Sequence, residues 1–218
     1  MKHGLTAFAL AAALVAAGAA LADDTPPTAP PTAPADETAT TASDDGMAGN
    51  VQFLIGQTYL GDFWAPLDEP AAFGVEVDFG PKKSPVHVAI ATNVSGDNAS
   101  VESPFLGQTG HVAVGFIEFS AGFVWLPVRH AVARPYLGAG ALTLIAGVDA
   151  GANAWNGGDS DQSFGFYGNA GIYFKVGNTF NIGFDGRLVR GTSITLGGQE
   201  TDADYERVSL LLGFSWGE

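Results

Sequence analysis

From residue 50 onward, large apolar residues alternate with small or charged ones. Residues 180–189, FNIGFDGRLV, put Phe180, Ile182, Phe184 and Leu188 on one parity and Asn181, Gly183, Asp185 and Arg187 on the other. Residues 207–216, RVSLLLGFSW, oppose Val208, Leu210, Leu212, Phe214 and Trp216 to Arg207, Ser209, Gly213 and Ser215, with Leu211 as the exception. A period of two places these sets on opposite faces of a strand. A soluble, ligand-carrying barrel would be polar outside and apolar inside. The converse pattern, repeated in segments of about ten residues, predicts a barrel whose outer wall meets hydrocarbon.

Eight stretches carry the pattern: 51–60, 72–80, 85–93, 111–126, 133–148, 163–176, 180–189 and 207–216. The fourth slips parity between Phe116 and Ile117, which predicts a β-bulge there. The fifth is too rich in Gly and Ala to assign a parity. The eighth stretch is expected to pair back onto 51–60 and close the barrel. Short connections at 81–84, 127–132 and 177–179 alternate with long ones at 61–71, 94–110, 149–162 and 191–204. Outer-membrane barrels have short periplasmic turns and long extracellular loops, and an even strand number leaves both ends of the barrel on the periplasmic side.

Charge follows the same division. The long connections hold Asp62, Asp68, Glu69, Asp97, Glu102, Asp149, Asp159, Asp161, Glu200, Asp202 and Asp204, and no Lys or Arg. Lys82, Lys83, Arg129, His130 and Arg134 cluster at the short turns. Solubility of exposed loops accounts for the acids; divalent-cation bridging to lipopolysaccharide phosphates is the alternative. Two aromatic girdles are expected, one from Phe79, Trp125, Phe174, Phe180 and Trp216, the other from Tyr59, Phe63, Trp64, Phe164 and Tyr205.

Composition adds three bounds. A net charge of −14 argues against nucleic-acid binding. The absence of cysteine excludes disulfides, a lipidated cysteine and thiolate metal sites. The 30 glycines among 218 residues suit closely packed strands and a crowded interior. Residues 1–22 read as a cleaved signal peptide: a basic Lys2, an apolar run over 5–20, and the cleavage pattern Ala20-Leu21-Ala22. Residues 23–49 are Pro, Thr and Ala with six acids and no base, too polar to offset their ordering entropy, and read as a disordered linker. The barrel domain is expected over 50–218.

The run ARPYLGAGA at 133–141, the strand YGNAGIYFKV at 167–176, the GNT turn at 177–179 and the closing LLLGFSW at 210–216 resemble the small outer-membrane β-barrel proteins of the OmpA/OmpX type. The resemblance implies an all-β, eight-stranded antiparallel up-and-down transmembrane barrel in the outer membrane of a Gram-negative bacterium. It implies outer-membrane lipids and lipopolysaccharide as partners, with the barrel-assembly machinery during insertion and host or surface ligands at the loops.

Eight strands leave an interior just wide enough for side chains to fill. Glu76, Asp78, Glu118, Lys175, Asp185, Arg187 and Arg207 are expected there as a polar network, with His87, Asn169 and Tyr173 beside them. Paired charges would hold the barrel closed, since a stranded buried charge is costly. The role expected from this is structural or surface-interacting: envelope integrity, adhesion or ligand contact. A narrow gated channel, with Arg187 exchanging partners among Glu118, Asp185 and Glu76, is the alternative. A lipid A-modifying enzyme is third. It would need a nucleophilic Ser and a His base near the outer leaflet, and only His111, near Ser100 and Ser103, stands at that level. The chain is therefore read as not an enzyme, with no catalytic, cofactor-binding or metal-ligating residue.

Overall fold

In hydrocarbon every backbone N–H and C=O must be satisfied within the protein, and a closed sheet does this without leaving an edge. A computed structural model describes residues 46–102, 109–128, 131–149, 159–196 and 198–217, with side chains at all of these except 100–102, 109–111 and 149. Among them are ten strands. They are β1 (Met47–Leu60), β2 (Ala71–Pro81), β3 (Val86–Glu102), β4 (Thr109–Trp125), β5 (Ala133–Asp149), β6 (Asp159–Val176), β7 (Phe180–Arg190), β8 (Ser193–Leu196), β9 (Gln199–Asp202) and β10 (Tyr205–Trp216). Eight form one closed antiparallel barrel in the order β1-β10-β7-β6-β5-β4-β3-β2. β10 pairs back onto β1, from Gly49↔Trp216 to Leu60↔Tyr205, as expected of the closing pair. β8 and β9 form a separate hairpin.

The alternation read from the sequence sorts the two surfaces. Outward residues such as Phe123, Phe164, Phe166, Phe184 and Val208 are exposed, and Phe166 is 72 % accessible. Inward residues such as Asn50, Glu76, Glu118, Asp185, Arg187 and Arg207 are buried. Leu211 faces inward and is fully buried, which explains its break in the apolar parity. β5 acquires its parity from its neighbours: Arg134, Tyr136, Leu142, Leu144 and Ala146 point in, and Leu137 points out.

Several expectations need correction. There is no bulge at Phe116. β4 stays in continuous register with β3 (Ser95↔Phe116, Val94↔Ile117) and with β5 (Phe116↔Ala146, Ile117↔Ile145). The slip reflects a change in what the interior contains: Val114 and Phe116 are apolar yet inward, while Phe119 and Phe123 are apolar and outward. Most of the expected 94–110 loop is strand, because pairing with β4 runs to Glu102↔Thr109 and overrides the weak local propensity of Gly, Asp and Asn. The expected 191–204 loop contains the β8–β9 hairpin. β1 begins at Met47, inside the segment assigned to the linker. At the rims, Phe79, Trp125, Phe174, Trp216, Tyr59, Phe63 and Phe164 are exposed. Phe180 is half-buried against Phe214. Trp64 and Tyr205 are not girdle residues: both are buried in the interior. Arg129, His130 and Ser103 lie outside the described residues, as do residues 1–45.

Glycine placement serves the interior. Gly122 and Gly140 are cross-strand partners on β4 and β5. A Cβ on Gly122 would come within 2.6 Å of Tyr167 Oη, and one on Gly140 within 2.7 Å of the Tyr167 ring and closer still to the Ala121 carbonyl. The two glycines make the space in which the Tyr167 ring lies. Gly140→Val is expected to displace that ring and destabilise the barrel by about 2 kcal/mol. Urea unfolding of the refolded protein in lipid checks this; an unchanged midpoint would contradict it.

Candidate functional site

The lumen is filled in layers, each made of residues on the inward parity of several strands. At the rim formed by the first residues of β1 and the last of β10 (the terminal rim), Asp78 of β2 is the centre. Its carboxylate accepts from Asn50 Nδ2 at 2.9 Å and, at 3.4 Å, from Gln52 Nε2, and lies 2.7 Å from His87 Nδ1. Ser215 Oγ donates to Asn50 Oδ1 at 2.6 Å, and Asn181 Nδ2 donates to Ser215 Oγ at 2.6 Å. This layer ties β1, β2, β3, β7 and β10 together. Higher up, Asp185 accepts from Tyr136 Oη at 2.7 Å and from Asn169 Nδ2 at 3.2 Å, so neutral donors hold this carboxylate.

The next layer is built on Arg187. Its Nη2 lies 2.6 Å from Glu118 Oε1, its Nη1 lies 3.9 Å from Glu76 Oε2, and its guanidinium carbon stands 3.7 Å from the centroid of the Tyr167 ring. Asn93 Nδ2 donates to the same Glu118 oxygen at 2.9 Å. The Arg187 N–H groups are not aligned for hydrogen bonds despite the short Nη2–Oε1 distance. The contact is therefore a charge pair over an aromatic face rather than a bidentate fork. The register sets Arg207 directly opposite Arg187. Like charges in that relation repel, so the two acids must be shared between two arginines. Arg207 is buried, and among the described residues its Nε and Nη2 have no hydrogen-bond partner. A cavity of about 10 Å³, lined in part by Thr58, Asn93, Ser95, Glu118 and Arg207, lies beside it. Glu118 Oε2 and Asn93 Oδ1 are likewise without partners among the described residues.

Above the charges the interior turns apolar. One buried cluster joins Val114, Phe116, Leu144, Val189 and Tyr205 of the wall to Trp64, Leu67, Ile194 and Ala203. The last four come from the segments linking β1 to β2 and β7 to β10, which fold into the mouth at the long-loop rim. Trp64 Nε1 donates to the Asp202 carbonyl at 3.0 Å, which joins the two segments. Ser193 N–H donates to Ser163 Oγ and Thr195 N–H to Asp161, so β6 holds the hairpin. Asp161 is half-buried, and the Thr195 and Gln162 N–H groups hold its carboxyl below the usual range.

Of the residues expected in the lumen, Glu76, Asp78, Glu118, Asp185, Arg187 and Arg207 are buried there. They do not form one cluster. Glu76, Glu118 and Arg187 come together, whereas Asp185 and Asp78 sit in lower layers with neutral or histidine partners. Lys175 is half-buried near the terminal rim. It stands six positions along β6 from Asn169, the partner of Arg187, or roughly 20 Å away. Sequence reasoning missed Arg134, Tyr136 and Tyr167, because β5 had no parity and Tyr167 was not singled out. It also missed Asn50, Gln52 and Asn93, although the opposition of Asn50 and Gln52 to Phe53 and Ile55 was available as a signal. The side chains of Ser100 and His111 lie outside those described, but the backbone register makes the two residues cross-strand partners.

No family model and no curated protein matches the chain. Solved structures do. Ail, the attachment invasion locus protein of Yersinia pestis, in complex with the heparin analogue sucrose octasulfate, matches with a TM-score of 0.52 at 14% identity, over 78% of this chain and 99% of that one. Ail without the analogue gives 0.50 at 14% identity, over 78% and 98%. Neisserial surface protein A gives 0.47 at 13% identity, over 78% and 95%. The chain has the fold of the small eight-stranded outer-membrane β-barrels, as the residue pattern led one to expect.

Two outcomes are expected of this geometry. Glu118→Gln strands the Arg187 charge and should cost about 3 kcal/mol in unfolding free energy, most of it recovered when Arg187→Met is added. A double-mutant cycle by urea titration measures the coupling; additive effects would contradict it. The cavity has room for one water. A high-resolution crystal structure should show a water bridging Arg207 to Glu118 Oε2, and a dry cavity would contradict that.

Proposed function

We propose that this chain is a bacterial outer-membrane protein whose barrel is closed and whose role is structural or surface-interacting. The observation that carries the reading is the filled lumen: successive layers of hydrogen-bonded and paired side chains span it, and the cavity beside Arg207 holds about one water. The apolar outer wall supports a membrane setting, because exposed Phe and Val side chains ring the sheet where lipid would lie. In this reading residues 1–22 are a signal peptide, the Pro-rich segment after them is a periplasmic linker, and the acidic long loops face outward.

The loops then decide what the surface meets. Ail was solved with a heparin analogue, a polyanion. The long-loop rim here carries Asp62, Asp68, Glu69, Asp159, Asp161, Glu200, Asp202 and Asp204 and, at its base, Arg190 in a salt bridge with Glu206. A polyanion would be repelled there, so the surface suits cationic ligands, or lipopolysaccharide phosphates bridged by divalent cations. A second reading, a narrow or gated channel, draws support from the poorly aligned Arg187 and from the Arg207 Nε and Nη2 groups, which have no hydrogen-bond partner among the described residues. A third, modification of lipid A, draws support only from the Ser100↔His111 register.

Single-channel recording on refolded protein in planar bilayers separates the first two readings. A silent bilayer is expected; steady, resolved openings would overturn the closed-barrel reading in favour of the channel. Lipopolysaccharide incubated with the same preparation is expected to keep its lipid A mass unchanged in a mass spectrum.

A further inference from the structure

Above Arg187 the interior changes character. On β4, Glu118 is followed two positions on, toward the long-loop rim, by Phe116 and then Val114; on β7, Arg187 is followed by Val189; on β10, Arg207 is preceded by Tyr205. All of these inward residues are buried. Directly above the charge layer, these three strands therefore present apolar or aromatic surface to the axis, with Ser95 of β3 beside Phe116. Into that ring project Trp64 and Leu67 from one inter-strand segment and Ile194 and Ala203 from another, with Ile194 and Ala203 at 0 % accessibility. Trp64 packs edge-on against Phe116 with ring centroids 5.3 Å apart. Its indole N–H caps the Asp202 carbonyl. Ala203 N–H donates to the Thr192 carbonyl, and Thr192 N–H and Oγ1 both donate to Asp204, so the hairpin base is fixed as well.

We infer that this apolar cluster is a second closure of the lumen, with Trp64 and Ile194 as its stopper, acting in series with the Arg187–Glu118 layer. The inference rests on the closed-barrel reading and deepens it. The two closures work by different physics. The lower one blocks by filling the bore with fixed, paired charges. The upper one has no charge to offer an ion in place of its water, so an ion is excluded by the cost of desolvation in a dry constriction. Barriers in series conduct only as well as the worse of the two. Removing either alone leaves the other intact.

The test uses full-length refolded protein, with heat-modifiable gel mobility to verify that each variant is folded. Trp64→Ala combined with Ile194→Ala should stay silent in planar bilayers, and so should Arg187→Ala. Conductance from either partial variant overturns the series arrangement. Conductance from the unmodified protein would instead overturn the closed-barrel reading. A second measurement addresses the stopper alone. The chain has no cysteine, so Ser95→Cys provides a unique thiol at the cavity between the closures. A small charged thiol reagent added on the long-loop side should label it about tenfold faster when Trp64→Ala and Ile194→Ala are present. An unchanged labelling rate shows that the cluster does not seal the mouth.

Discussion

The structure depends on keeping charge off an apolar outer wall while meeting most of the charge it turns inward. An eight-stranded barrel with an apolar outer wall has one place for its polar side chains, the bore. The bore is too narrow for them to stay hydrated individually. Each inward acid must therefore be met by a donor from another strand. Arg187 and Glu118 are the extreme case. Their strands lie three apart in the closed sheet order, and their contact holds β7 to β4 across the lumen. Glu76 and Tyr167 bring β2 and β6 to the same guanidinium. A single cation thus links four strands, of which only β6 and β7 pair with each other in the sheet.

This constraint orders the rest of the interior. Asp78 gathers amides and His87 near the terminal rim, Asp185 takes Tyr136 and Asn169 above it, and the arginine layer follows. At the long-loop rim the problem is the reverse, because bulk water could enter and compete for the charges below. Apolar residues from the wall and from two folded-in segments occupy that position. Water exclusion above strengthens the pairing below, since charge pairs are worth more where the local dielectric is low. The glycines at 122 and 140 belong to the same scheme, as they give Tyr167 the room to lie against Arg187.

Much of the architecture was legible in the residue order. Strict alternation in β7 and β10 marks both faces, and the spacing of turns marks the strand number. The inward charges Glu76, Glu118, Asp185, Arg187 and Arg207 follow from parity alone. What could not be read is which charges meet. Parity assigns a face but neither a height nor a partner, so Asp185 and Glu76 looked equivalent as partners for Arg187, and Lys175 looked like a member of the cluster. Register supplies the missing coordinate. The apolar cap was misread for a related reason. Trp64 and Tyr205 near strand ends resemble girdle aromatics, and only the folded path of the connecting segments turns them inward. The slip at Phe116 was a true signal of that cap, read as a backbone irregularity because apolar residues were assumed to face lipid.

The central claim is that Arg187 is locked in a closed, water-poor lumen between Glu118 and the Tyr167 ring. Nitrogen-detected NMR of the arginine guanidinium groups, in lipid nanodiscs, tests it most directly. Arg187 should show slow N–H exchange with solvent and hindered rotation about its Cζ–Nε bond. Exchange as fast as that of the exposed Arg190, with free rotation, would contradict the account and would mean that the bore is open to water.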